Sequence, residues 1–307
     1  MRNNTRNVFL ILDQYLTEFS LRLKSLSEHR GLKTVLLTSA DTVRDVALVF
    51  HLSEKDLNFN LRYHDVDIKT QDIAGVYCGI STFEPTLWER FSSKDAEYAA
   101  RETQALWLAI LASLPCHVIN PPSLDSLAGT LLSTPEILYL AHRLGFRVPM
   151  VISLESGKIA AEVLGSGVRA RYADLGEVWG NETCLRPDDL PVLEKNDDHF
   201  RVLEEVPGKP TYVTLLGDKF FACEADSGAS IVCLSSRRIP RPIKVRLRTL
   251  HKRLKLVLAE YSFRVMADDN WTFLGCTRPP IYAVAAHSDA LLGQVVDYAV
   301  GKKGVTW

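Results

Sequence analysis

Apolar positions along this chain fall into two repeats, and the switches between them mark its elements. Val8-Phe9-Leu10-Ile11-Leu12 and Val35-Leu36-Leu37 are short continuous apolar runs, which predict buried strands. Between them Leu21, Leu23 and Leu26 mark an amphipathic helix, so the chain opens as strand, helix, strand. Ile73 to Cys78 predicts a further strand. Lys94 to Leu114, rich in Ala, Leu and Glu, predicts a long helix that leads into a strand at Cys116 to Ile119. Parallel pairing through right-handed crossovers is the simplest topology for this order. Leu12-Asp13-Gln14-Tyr15 fills the turn after the first strand, where a dinucleotide site would need a glycine-rich loop, so the lobe reads as scaffold.

Asn120-Pro121-Pro122 stops the strand at Ile119, because proline cannot continue a ladder. Ser133-Thr134-Pro135-Glu136 then supplies a hydroxyl cap and a first-turn proline, and Ile137, Leu140, Ala141 and Leu144 repeat at helical spacing up to Gly145. Val148 to Ile152 opens the next strand. Beyond residue 150, Ile159 to Val163 and Val168 to Tyr172 predict a hairpin around Gly165-Ser166-Gly167, a pattern that more often makes a turn than a phosphate cradle. Asn181 to Asp198 reads as an acidic loop with Glu182, Asp188, Asp189, Glu194, Asp197 and Asp198. Pro210 to Leu216, the turn Gly217-Asp218-Lys219, and Phe220 to Ala225 form a clear hairpin.

Composition and charge narrow the class. With 307 residues, 47% of them hydrophobic and 24% charged, the chain can bury a sizeable core in two or three lobes. No apolar run approaches the roughly 18 to 20 residues that span a bilayer, and Met1-Arg2-Asn3-Asn4-Thr5-Arg6 shows no cleavable signal pattern, so a cytoplasmic protein without membrane partners is expected. The six cysteines are scattered without a C-x-x-C pair, which favours reduced thiols over disulfides or zinc. The net charge of −1 conceals one strong asymmetry. Between Arg237 and Lys255 stand Arg237, Arg238, Arg241, Lys244, Arg246, Arg248, Lys252, Arg253 and Lys255 with no acid among them. Ile243, Leu247, Leu250, Leu254 and Leu258 recur through the same stretch, so it predicts an amphipathic helix with an apolar stripe and a cationic face. Such a face is commonly solvated, and it also suits an acidic peptide. The absence of interleaved aromatics and the near-neutral whole-chain charge argue against nucleic acid.

Ile119-Asn120-Pro121-Pro122, the helix through Leu144-Gly145-Phe146-Arg147-Val148-Pro149, Val206-Pro207 with the hairpin to Ala222, Leu256 to Arg264, and Asn270-Trp271-Thr272-Phe273-Leu274-Gly275 come in an order that resembles the ATP-grasp superfamily. The resemblance is to its RimK-like branch and to the graspetide-type ligases that install ester or amide crosslinks in ribosomally made peptides, and it covers nearly the whole chain. It implies an α/β protein: an N-terminal Rossmann-like lobe (residues 1–122) followed by α+β ATP-grasp-like lobes (123–203 and 204–307). Active relatives clasp ATP and magnesium there, form an acyl phosphate from a carboxylate, and let an amine or hydroxyl attack it. They are commonly oligomers, so a homo-oligomer is implied.

The residues that would carry this chemistry depart from the pattern. Phosphoryl transfer needs cations against the phosphates and oxygen ligands for magnesium. Relatives carry Phe-Leu-Glu-x-Asn on the last strand, whose Glu and Asn bind the metal, and this chain has Phe273-Leu274-Gly275-Cys276-Thr277. Arg264 is the nearest equivalent of an aspartate on the strand before, and Tyr212 replaces a phosphate-contacting arginine. Ala161-Glu162-Val163 lacks the nucleotide-contacting lysine, with Lys158 a register shift away, and no lysine stands at Leu132 to Pro135. Glu204 and Glu205, just before Val206-Pro207, match an adenine-contacting hinge as well as they match a solvated one. Cys276 is a candidate nucleophile for which the sequence names no base. These losses imply a catalytically degenerate ATP-grasp-like pseudo-ligase with no cofactor. Its expected role is an accessory in a peptide-modification or natural-product pathway, binding a precursor peptide or a cognate ligase through the basic helix. The alternative is an active ATP-dependent carboxylate-amine or carboxylate-hydroxyl ligase with relocated ATP and Mg²⁺ ligands.

Overall fold

The computed structural model describes residues 6–52, 57–130, 132–154, 170–174, 183–184, 200–204, 206–225, 234–278, 280 and 282–301. The first lobe runs β1 (Val8–Asp13), α1 (Glu18–His29), β2 (Lys33–Thr38), α2 (Ser39–Arg44), β3 (Val46–Leu52), β4 (Leu57–Tyr63), β5 (Val66–Lys69), β6 (Ile73–Cys78), α3 (Ser93–Ser113) and β7 (His117–Ile119). Four of these strands form a parallel sheet in the order β2-β1-β6-β7. All six residues of β1 are buried, as a central parallel strand requires when both faces of its sheet are covered. On one face Leu10, Leu12 and Val76 pack against Trp107, Ile110 and Leu111 of α3 and against Phe59, Leu61 and Ile68. The last three belong to an antiparallel sheet, β3-β4-β5, which the sequence reading had not assigned. In α1, Phe19 and Leu23 carry the buried stripe, and Leu21 faces solvent. Thr17 and Ser20 close a capping box at its start.

Beyond β7 the chain makes α4 (Thr134–Arg143), whose Ser133 and Glu136 form another capping box. Gly145 ends the helix at φ 83°, donating to the His142 carbonyl at 2.8 Å. A small antiparallel sheet follows, β8 (Val151–Leu154), β9 (Ala170–Asp174), β10 (Thr183–Cys184) and β11 (Phe200–Glu204), in the order β10-β9-β11-β8. The expected turn at Gly165-Ser166-Gly167 and most of the acidic loop lie outside the described residues.

The third segment comprises β12 (Lys209–Leu216), β13 (Lys219–Ala225), β14 (Leu234–Ser236), α5 (Arg241–Arg253), β15 (Leu258–Val265), β16 (Trp271–Thr277) and α6 (Tyr282–Ala299). Its five strands pair antiparallel in the order β14-β13-β12-β15-β16. Val213, Leu215, Ala259, Tyr261, Phe263 and Phe273 face Ile137, Leu138 and Ala141 of α4 and Ile243, Leu247 and Leu250 of α5. On the reverse face Leu216 and Leu258 meet Leu291, Leu292, Val295 and Val296 of α6. The same helix covers Phe9, Ile11 and Tyr77 of the first sheet, so one apolar cluster joins the two sheets. A Cβ at Gly75 would lie 2.2 Å from the Ala299 carbonyl oxygen, so glycine is required for α6 to close on β6.

Asn120 makes the second junction. It is buried at φ 57°, a left-handed conformation that asparagine tolerates. Its Oδ1 accepts from the Val257 and Leu258 N–H groups at 2.9 Å each, and its Nδ2 donates to the Leu258 carbonyl at 2.9 Å. Among the described residues no helix is long and apolar enough to cross a membrane. Cys78, Cys116, Cys223 and Cys276 are free thiols.

Candidate functional site

The face of the five-stranded sheet that α6 only partly covers holds the positions the sequence singled out. Strand register sets them in rows. Tyr212 pairs with Ser262, and Ser262 with Gly275, so these three stand in one row across β12, β15 and β16. Thr214, Glu260 and Thr277 make the next. The register slips between Ser262 and Phe263, where Leu274 is the extra residue of a β-bulge. Consequently Ser262 stands beside Gly275, and Arg264 lies further along, paired with Thr272.

Glu260 is the acid on this face, and the sequence reading passed over it. It is 1% exposed, and its Oε2 accepts from the Thr214 hydroxyl at 3.2 Å. The signal for it was a carboxylate inside the apolar strand Leu258–Val265, on the outward half of a period-two alternation. Thr272 and Thr277 have buried hydroxyls with no hydrogen-bond partner among the described residues. Cys276 turns the other way: it packs into the α5 side of the sheet, and burial pushes its thiol up to about 12. Burial favours the protonated thiol, and the side chain packs on the side of the sheet away from Tyr212, Ser262 and Gly275. Among the described residues no cluster of three or more His, Cys, Asp or Glu side chains is arranged to hold a metal ion.

Of the two residues expected at an adenine-contacting hinge and the lysine expected at the nucleotide, Glu204 ends β11 with its backbone opposite Ala170. Lys158 and Glu205 lie outside the described residues.

The basic stretch divides into cations held by the fold and cations that face solvent. Arg237 precedes α5, pairs with Glu224 and with Asp269 at 2.9 Å, and lies over the Trp271 ring. Arg248 pairs with Asp218 at 3.5 Å and sits 4.9 Å from the Phe220 ring centre, where Lys244 also stacks. Arg246 lies over Phe146. Arg238, Arg241, Lys252, Arg253 and Lys255 are exposed and make no ion pair among the described residues. Lys255 falls past the helix end, in a left-handed turn at φ 52°. Lys252 and Arg253 occupy the last turn, where cations offset the helix dipole. Arg241, Val245, Arg248, Thr249, Lys252 and Arg253 form the outward stripe of α5, on the side of the sheet opposite Tyr212, Ser262 and Gly275.

The parallel first lobe, the small antiparallel sheet and the five-stranded sheet with α5 behind it define the ATP-grasp fold. Solved structures agree. The macrocyclase MdnC bound with precursor peptide MdnA, from Microcystis aeruginosa MRC, superposes with a TM-score of 0.75 at 14% identity, over 95% of this chain and 99% of that one. A Chryseobacterium gregarium RiPP-associated ATP-grasp ligase, in complex with ADP and a leader and core peptide, gives 0.72 at 15% identity, over 97% and 98%. The ATP-grasp ligase PsnB, complexed with minimal precursor, Mg and ADP, gives 0.73 at 15% identity, over 98% of each chain. No protein-family model matches the sequence, and no curated protein matches it. At these identities the likeness is one of fold.

Proposed function

We propose that this chain is a pseudo-ligase of the peptide-modifying ATP-grasp type, an accessory that binds a precursor peptide or a cognate ligase. The observation that carries the reading is the row Tyr212, Ser262, Gly275. In the register of β12, β15 and β16 it puts a phenol where the resemblance expects a phosphate-binding cation and no side chain where it expects a metal-binding glutamate, with the Ser262 hydroxyl between them, while Arg264, in place of the aspartate, lies further along. Magnesium prefers near-octahedral oxygen ligands that include carboxylates. The donors beside that row, one carboxylate already bonded to Thr214 and the hydroxyl of Thr277, do not fit it. For a partner, the exposed cations of α5 offer complementary charge to an acidic peptide.

Calorimetry with ATP and Mg²⁺ tests the first half: no saturable magnesium-dependent heat is expected. Magnesium-dependent binding with ADP release on adding a carboxylate substrate and an acceptor would overturn it in favour of an active carboxylate-amine or carboxylate-hydroxyl ligase. Glu260 is the one observation favouring that second reading, being a buried acid on the same face, and Glu260→Gln would then abolish turnover.

A further inference from the structure

Just past β16 stands an arginine that no described acid neutralises. The Nη1 of Arg278 donates to the Ala128 carbonyl at 2.6 Å, in the loop after β7. Among the described residues it makes no ion pair and no second hydrogen bond. Its ionisable neighbours are Cys276, Tyr261, Tyr77 and Cys78. All four stay uncharged near neutral pH, since burial pushes both thiols up to about 12 and both phenols well above their ordinary value. A guanidinium has five N–H donors in a rigid fork, and this one spends a single donor on a neutral carbonyl. Partly withdrawing a cation from water with no anion beside it costs free energy that a bound anion would offset.

The place matters as much as the charge. Tyr77 and Cys78 end β6, at the carboxyl edge of the parallel sheet, and ligands of open α/β sheets bind in the crevice outside that edge. Glycine keeps the backbone close there. A Cβ on Gly129 would come 3.5 Å from Nη1 and 2.7 Å from Leu256 Cδ2, and one on Gly79 would meet Asp13 Oδ1 at 2.7 Å. Asp13, the acid at this edge, is engaged elsewhere: Oδ1 accepts from the Gln14 N–H at 3.0 Å and Oδ2 from the Thr17 hydroxyl at 2.5 Å. Arg278 itself is only part-buried, so solvent reaches it.

We propose that Arg278 is the receptor for an oxyanion, a carboxylate or a phosphate, which binds in this crevice without a divalent metal. The fork suits both, since each presents paired oxygens to parallel N–H donors. The proposal rests on the pseudo-ligase reading only in assigning the local positive charge to the protein.

The test is calorimetry and thermal shift on the full chain in EDTA, with inorganic phosphate, ADP, and a glutamate-containing peptide blocked at both ends. At least one of these should bind saturably and raise Tm, and which one does identifies the source of the oxyanion. Arg278→Met should lower that affinity at least about tenfold, the scale of one charge-assisted hydrogen bond, while melting no lower than the parent. Arg278→Lys, which keeps the charge without the fork, should bind more weakly with Tm unchanged. If Arg278→Met does not fold, the lysine variant decides: weaker binding supports the proposal and unaltered binding overturns it. No response from the parent protein in EDTA, or equal responses from parent and Met variant, also overturns it. These outcomes are separable from the previous section, since magnesium-dependent turnover would sink the pseudo-ligase reading and leave metal-free binding at Arg278 standing.

Discussion

Asn120 ties the end of β7 to the start of β15 through three buried hydrogen bonds. Removing it in Asn120→Ala would orphan the buried N–H groups of Val257 and Leu258 and one carbonyl, and would place alanine at a positive φ. A loss of about 3 to 5 kcal/mol in urea unfolding is expected. The residue was visible in the sequence as the end of a strand, but its bonds cross to residues more than a hundred positions away, and no local pattern encodes such a partner. Arg278, bonded to Ala128, was missed for the same reason, whereas Glu260 did leave a local mark as a carboxylate within an apolar strand. His251 makes a second residue-scale prediction. Its ring bonds to the Tyr261 hydroxyl at 2.8 Å and the Val257 carbonyl at 3.2 Å, and burial lowers its pKa from 6.5 to about 4. The unfolded chain therefore binds the proton more tightly than the folded one. The stability that His251 contributes is present above pH 6.5 and is lost as the pH falls from 6.5 towards about 4, on the order of 3 kcal/mol. Urea midpoints across that window should slope, and His251→Gln should flatten the slope.

Among the elements, α5 separates two roles that its sequence superimposes. Leu247 and Leu250 are fully buried, so Leu247→Ala should cost about 2 to 5 kcal/mol by chemical denaturation. Reversing the exposed charges together, Arg241→Glu, Lys252→Glu and Arg253→Glu, should shift stability by less, about 1 to 2 kcal/mol, mostly from the last-turn dipole. Capture of an acidic peptide in a pull-down should vanish, and capture that persists would remove α5 from the proposal. Both the apolar stripe and the basic face were legible, because a helix writes its two faces at fixed spacing. Which cations were spent internally was not, since Glu224 and Phe220 sit on β13 and Asp218 in the turn before it, and their approach to the helix depends on the tertiary fold. The antiparallel sheet β3-β4-β5 escaped for a different reason. Its middle strand, β4, buries only alternate residues such as Phe59 and Leu61 between Asn58, Asn60 and Arg62, and so lacks the continuous apolar run that announced β1, although β3 carries one from Val46 to Phe50.

At the scale of the molecule, the order of lobes was readable because parallel strands with crossovers, capped helices and a hairpin each leave local marks. The closure of the first lobe was not, since its last layer arrives from the far end of the chain. Phe9, Ile11 and Tyr77 are covered by α1 and by Leu291, Leu292, Val295 and Val296 of α6. Everything between β7 and α6 is thus an excursion inserted into the first lobe. During synthesis the amino-terminal sheet would leave the ribosome with one face covered only by α1 and wait for some 160 further residues, many seconds at ordinary elongation rates, before the rest of its cover emerged. Truncation after residue 280 should therefore give aggregates that bind a hydrophobic dye, and α6 supplied in trans as a peptide should restore soluble protein. The glycine that lets Ala299 rest on β6 is then a kinetic feature as well as a packing one. The depth of that seat sets how firmly a late-arriving helix is held, and with it how long the nascent lobe depends on chaperones.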